Sequence, residues 1–145
     1  MLISTGLRNS ILTKLALEFE SGVTAEIELY AGTVAATADA DISGNTLLGT
    51  ISTNGDGTAL TLGSPSDGVM GKTTSETWSV TPIADGTASF YRLILDDDAG
   101  GLSTSAMRIQ GTVGTANADM LVDSTTFTTG VERTVSSFSI GMPSS

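Results

Sequence analysis

The sequence holds one stretch with a helical repeat and then changes period for good. In residues 5 to 20, Leu7, Ile11 and Leu15 recur every four positions, and Leu12 and Phe19 widen the same stripe. Ser4 or Thr5 can cap the start, and Gly22 can end it. Asn9, Ser10 and Thr13 fall on the opposite face, while Arg8 and Glu18 interrupt the stripe and are expected to reach past it to water. After Gly22 the period is two: Val23, Ala25, Ile27 and Leu29 alternate with Thr24, Glu26, Glu28 and Tyr30. With no helical stretch between later strands, a parallel βαβ sheet is not expected.

The residue usage agrees. There are 23 Thr and 18 Ser, so 41 of 145 residues carry a small hydroxyl, and 17 more are Gly. Thr fits a pleated, half-exposed surface, and Ser and Gly serve turns. Further strands are expected at Leu47–Ile51, Thr58–Leu62, Glu76–Val80, Thr87–Leu95, Ala106–Val113, Met120–Val122 and Val131–Met142, with Gly63–Gly71 as loop. Thr87–Leu95 is apolar on both faces and reads as central. The last strand changes phase at Ser136-Ser137, which suggests a β-bulge. The expected fold is mainly β: an antiparallel β-sandwich or small barrel of about eight strands with one N-terminal helix. The organisation read is a helix or arm over residues 1–22 and a single β domain over 23–145. The helix either covers an open end of the sheet or docks on a partner, and Leu7, Ile11 and Leu15 are the candidate partner-binding residues.

Charge and missing residue types narrow the function. Six basic against sixteen acidic residues give 6 − 16 = −10, which argues against binding nucleic acid or anionic lipid. Without Cys or His there is no thiolate nucleophile, no Ser-His-Asp triad and no ordinary zinc site. No apolar run is long enough to span a membrane, and Met1–Arg8 does not read as a secretory signal. No enzyme activity and no cofactor is expected.

Several local patterns have the residue types of a site. Asp39-Ala40-Asp41-Ile42-Ser43-Gly44 resembles the opening of a calcium loop, but its twelfth position is Thr50, so an Asx-type turn is the preferred reading. Asp96-Asp97-Asp98 reads as a solvated hairpin tip, and Glu26 with Glu28 as a solubilising strand face. Trp78, Phe90 and Tyr91 offer a sugar-stacking platform if they are exposed. Asn54–Gly57 and Gly111–Gly114 lack phosphate-binding spacing. No metal is expected.

Read in order, a further set of segments resembles a family. They are Leu7-Arg8-Asn9-Ser10; Ile27 to Gly32; Ala38-Asp39-Ala40; Gly44 to Ile51; Gly86-Thr87-Ala88-Ser89-Phe90-Tyr91-Arg92; Gly111 to Asp119; and Ser137 to Pro143. Together they are similar to a small structural virion protein family of long-tailed bacteriophages. The family often has a Pro shortly before Ala-Asp-Ala, whereas this chain reads Val34-Ala35-Ala36-Thr37. The resemblance implies a head decoration or cement protein on the capsid surface of the virion, bound to the major capsid protein. It also implies a homo-oligomer, a trimer about a local threefold axis. The alternatives are a tail or head-tail connector component and a carbohydrate-binding β-sandwich.

Overall fold

The computed structural model describes residues 2–20, 25–95 and 97–144. Helix α1 spans Thr5–Glu20, and nine strands follow: β1 Ala25–Ala31, β2 Thr46–Thr53, β3 Val69–Gly71, β4 Trp78–Val80, β5 Gly86–Leu95, β6 Ile109–Gly114, β7 Met120–Val122, β8 Thr126–Phe127 and β9 Arg133–Gly141. Seven of them close into a barrel in the order β1-β2-β4-β9-β7-β6-β5, and β5 returns to β1. β8 lengthens the sheet beside β5, and β3 pairs with β9 outside the ring. A small barrel is thus what the alternating pattern builds, with one strand more than expected.

The barrel is filled by the inward residues of every stave. Ile27, Leu29, Ile51, Trp78, Val80, Tyr91, Leu93, Met120, Val122, Val135 and Phe138 belong to one buried cluster. Phe138 meets the Tyr91 ring edge-on at 5.4 Å and lies 5.6 Å from Trp78. Tyr91 has room because its cross-strand partner is Gly111, where a Cβ would stand 2.7 Å from the ring. β5 is central, lying between β1 and β6. Three bulges reset the alternation, one of them at Ser89, the extra residue opposite Tyr30/Ala31 in the β1–β5 ladder. Leu48 is the extra residue opposite Leu29/Tyr30, which sends Leu48 into the barrel and leaves Leu47 on a second cluster. Ser136 is the extra residue opposite Leu121/Val122, where the sequence changes phase.

The structure departs from the expectations at several places. β7 runs parallel to β6, so the sheet is not wholly antiparallel. The turn between them is held by Asp119, whose carboxylate accepts from the Thr112 amide and hydroxyl, each at 2.8 Å. Thr58–Leu62 forms no named strand; it makes isolated bridges at Thr58 and Leu62, and its Thr61 amide is taken by Glu76 Oε2 at 3.1 Å instead of a ladder. Gly63–Gly71, expected as loop, contains β3, because Met70 is drawn into the core after the tight turn at Asp67-Gly68. β8 carries one buried residue, Phe127, too short a stretch to show a period.

The helix begins as expected, with Ser4 Oγ accepting from the Leu7 amide at 3.3 Å. Gly22 and Val23 lie outside the described residues. Its buried side is rotated from the expected stripe. Leu12 and Phe19 are fully buried, Phe19 joins the barrel core and Leu15 packs against it, whereas Leu7 and Ile11 face solvent. Asn9 and Arg8 turn inward. The Gly68 amide donates to Asn9 Oδ1 at 2.8 Å, and Arg8 Nη1 donates to the Asp67 and Met142 carbonyls at 3.2 and 3.3 Å. Position 68 favours glycine, since its φ is +77° and a Cβ would lie 2.2 Å from the Arg8 guanidinium, which would have to move.

Candidate functional site

The loop between β1 and β2 lies as a strap over the outer face of β1, β5 and β6. Its apolar anchor is Ile42, which joins Tyr30 and Phe90 in a second buried cluster, the two rings stacked at 5.2 Å. Its polar anchors come from the strands beneath. Arg92, fully buried on β5, donates to the Ala40 carbonyl at 2.7 Å, the Thr37 carbonyl at 3.4 Å and Gln110 Oε1 at 3.1 Å. Gln110 donates to the Ala35 carbonyl at 2.8 Å, and Arg108 to those of Ala38 and Asp39. Arg108 also grips Asp98 through two 2.5 Å contacts, and both side chains are nearly buried. Those bonds hold the Asp98 carboxyl below the usual carboxylate range, and burial lowers the pKa of Arg92. Glu28 stands opposite Arg92 across the β1–β5 ladder and accepts from the Tyr30 hydroxyl at 2.5 Å. Burial, then Glu28, raises the Tyr30 pKa.

These contacts decide several of the candidates. Asp41 closes an Asx turn by accepting from the Ser43 amide at 2.7 Å. Asp98 is not part of a solvated tip, because Arg108 binds it; Asp96 lies outside the described residues. Glu26 and Glu28 are both half-buried, not a fully exposed face. Trp78, Phe90 and Tyr91 form no platform: all seven aromatic side chains are buried, so none offers a face for a sugar to stack on. Gly111 and Gly114 sit within β6, not in a loop. Among the described residues, no three carboxylates gather as metal ligands. A cleft of about 330 Å³ beside Asp97, Asp98, Ser103, Met107 and Arg108 has its one buried ion pair already closed.

The partner-binding candidates divide. Leu15 packs on the core, while Leu7 and Ile11 are 52% and 36% exposed. The signal that sequence reading missed is the placement of the cations, all six of which are described. Arg8, Lys72, Arg92, Arg108 and Arg133 each donate to main-chain carbonyls. Lys14 alone stands exposed, on the helix. The carboxylates of Asp39, Asp41, Asp56, Asp67, Asp85, Asp97, Asp119, Asp123 and Glu132 are exposed over the barrel and its loops. The outer wall is therefore anionic, and on the helix the exposed Lys14 is followed four residues later by the exposed Glu18.

No protein-family model, curated protein or solved structure matches this chain.

Proposed function

We propose that this chain is a structural virion protein of a long-tailed bacteriophage, a decoration or cement protein on the capsid surface that binds the major capsid protein. The observation that carries this reading is how the segments resembling that family meet. Tyr30 stacks on Phe90, Ser89 Oγ donates to the Gly32 carbonyl, Arg92 donates to the Ala40 carbonyl, Gly111 lies under Tyr91, and Tyr91 meets Phe138. Segments far apart in sequence thus share one task, holding a strap and a barrel rigid around β5. Contacts of this kind build a scaffold. A rigid body with an anionic outer wall suits a protein that must stay soluble while covering a shell. The reading includes self-association, as a trimer about a local threefold axis, with the exposed Leu7 and Ile11, but not the core-packed Leu15, on the side that meets a neighbour.

The test is the number of copies in purified particles, measured by quantitative mass spectrometry against the major capsid protein. A count that tracks the capsid protein supports head decoration. A few copies per particle would move the chain to the tail or connector. Absence from particles would overturn the virion reading.

A further inference from the structure

We propose that Asn54 is a self-modification site: in the folded protein its side chain cyclises onto the Gly55 amide, loses ammonia and yields isoaspartate, which loosens the join between β2 and β4. Asn9 precedes Ser10, Asn45 precedes Thr46, Asn117 precedes Ala118, and Asn54 precedes Gly55. At Asn54 alone, no Cβ on the next residue crowds the attacking nitrogen. Asn54 is exposed, and its side chain makes no hydrogen bond among the described residues. The Gly55 amide is held by a long 3.4 Å bond to the Ser52 carbonyl. The backbone is favourable as well. The five-membered ring confines ψ of Asn54 to the region of the first central residue of a type II′ turn, and the Asn54 φ of +56° is what that position requires.

The reaction is redox-neutral and consumes only water. Hydroxide takes the Gly55 amide proton, and the nitrogen attacks Cγ of Asn54. The N–Cγ bond forms and the Cγ–Nδ2 bond breaks, with Nδ2 leaving as ammonia after gaining a proton from water. Water then opens the succinimide. Where it adds at Cγ and the N–Cγ bond breaks, the product is aspartate. Where it adds at the main-chain carbonyl carbon of residue 54 and that C–N bond breaks, the chain runs on through Cγ and the product is isoaspartate. The turn holds nucleophile and electrophile in adjacent residues, so orientation and not encounter sets the rate.

The competing positions are restrained. Asn45 Nδ2 donates to the Ala31 and Thr33 carbonyls at 3.3 and 2.9 Å. Asn9 lies in the helix, and its Oδ1 accepts from the Gly68 amide; that bond also occupies the nitrogen that would attack Asp67, which shares the positive φ. Asp56 precedes Gly57, but its carboxylate accepts from the Thr58 amide while the Gly57 amide donates to Ser52 Oγ at 3.0 Å. Asn117 has a φ of +52°, but Ala118 follows it. The consequence at residue 54 comes from its neighbours. Isoaspartate adds one carbon to the main chain directly after the β2–β4 ladder, which consists of Ser52 with Ser79 and Thr53 with Trp78. The Asn54 amide extends that join by donating to the Thr77 carbonyl at 2.7 Å. Gly55 packs so closely that a Cβ there would stand 2.9 Å from the buried Ser79 hydroxyl and 3.2 Å from Glu132 Oε1. A longer chain between these two contacts displaces one of them, at a join of two residue pairs.

The experiment ages the full folded chain in mildly alkaline buffer and maps its peptides by mass spectrometry, with isoaspartyl methyltransferase labelling to tell isoaspartate from aspartate. Asn54 should lose its amide at least about tenfold faster than any other asparagine, the ratio that a barrier about 1.4 kcal/mol lower gives. The loss should quicken as pH rises. Hydrogen exchange on the aged chain should then show lost protection at the Trp78 and Ser79 amides. Asn54→Asp supplies the aspartate product without the added carbon and should keep that protection. Asn54→Gln, which would need a six-membered ring, should stay intact under the same ageing. The inference is overturned if Asn54 keeps its amide in the folded chain, with loss only in urea showing that the turn blocks the attack. It is equally overturned if another asparagine reacts as fast, if the isoaspartyl chain keeps its protection at β4, or if Asn54→Asp loses as much. None of these outcomes involves particles, so the virion reading stands or falls separately.

Discussion

Replacing Arg92 by Met tests whether the strap is held by its charged anchor or merely rests on its apolar one. Arg92 is completely buried and reaches the strap through the Ala40 carbonyl at 2.7 Å, with Gln110 at 3.1 Å beside it and Thr37 at the 3.4 Å limit. Hydrogen bonds from a charged donor contribute about 1.5–3 kcal/mol each, so losing the two short ones removes roughly 3–6 kcal/mol. Two effects offset this. Methionine fills much of the volume and no longer buries a charge, and Arg92 Nη1 has no partner among the described residues. The expected net loss is about 2–3 kcal/mol. At about 3 °C per kcal/mol for a chain of this size, the melting temperature falls by about 6–9 °C. The readouts are urea unfolding followed by the fluorescence of Trp78 and hydrogen exchange read segment by segment. Protection should fall first at the strap amides of Ala40, Ile42 and Asn45, which bond to Thr37, Gly100 and Ile42. Unchanged or increased stability, or protection lost evenly over the barrel, would refute the reasoning.

Three further outcomes follow from the packing and the charges. Phe19→Ala should destabilise by about 3–5 kcal/mol, as for a buried aromatic, while Leu7→Gln with Ile11→Gln changes urea stability by no more than about 0.5 kcal/mol; equal losses would mean that the helix is rotated from the orientation described. Gly111→Ala should cost about 1–3 kcal/mol by driving a methyl into the Tyr91 ring, and combining it with Tyr91→Leu should lose less than the sum of the two, as a double-mutant cycle in urea would show. Stability should also fall at both ends of the pH range. Asp85, Asp98 and Asp119 have carboxyl pKa values lowered by the hydrogen bonds they accept, so their contribution is present above about pH 4 and lost as pH falls through the folded values. Burial pushes the Tyr91 hydroxyl up to about 12, so its neutral form favours folding below about pH 10, and that contribution fades as pH rises toward 12. Thermal melts from pH 2 to 12 check both limbs, and a flat profile on either side would contradict the assignment.

Much of the barrel could be read from alternation because one face of each long stave is buried. The slip at Ser136-Ser137 is visible for the same reason, since an extra residue inverts every later side chain. The helix was harder. Leu7 and Leu12 lie about 140° apart around the axis, and Leu15 serves a stripe through either one. What decides between them is distant: Gly68 and the carbonyls of Asp67 and Met142 draw Asn9 and Arg8 inward. In sequence the strap is a loop of small residues, and nothing local marks its anchors. Arg92 and the carbonyl of Ala40 are 52 positions apart, and an arginine in a strand looks the same in sequence whether it meets water or a buried carbonyl.

The order in which the ring closes has a kinetic consequence. β1 must find β5 across a separation in which Ala25 pairs with Leu95, and their ladder runs the whole length of β1. β4, by contrast, joins the ring through two-residue ladders on each side, Ser52 and Thr53 to one stave and Thr134 and Arg133 to the other. Non-local pairing of this kind must meet its loop-closure entropy before contacts compensate, which places such a chain among slow-folding β proteins, on a scale of about milliseconds to seconds. The long β1–β5 ladder is then the expected rate-limiting seam, and β4, with two-residue ladders on both sides, the stave expected to close last; a Trp78 fluorescence change that precedes hydrogen-exchange protection of β1 and β5 would contradict that order. Trp78 sits on that stave, so its fluorescence reports the final closure of the barrel, not its nucleation.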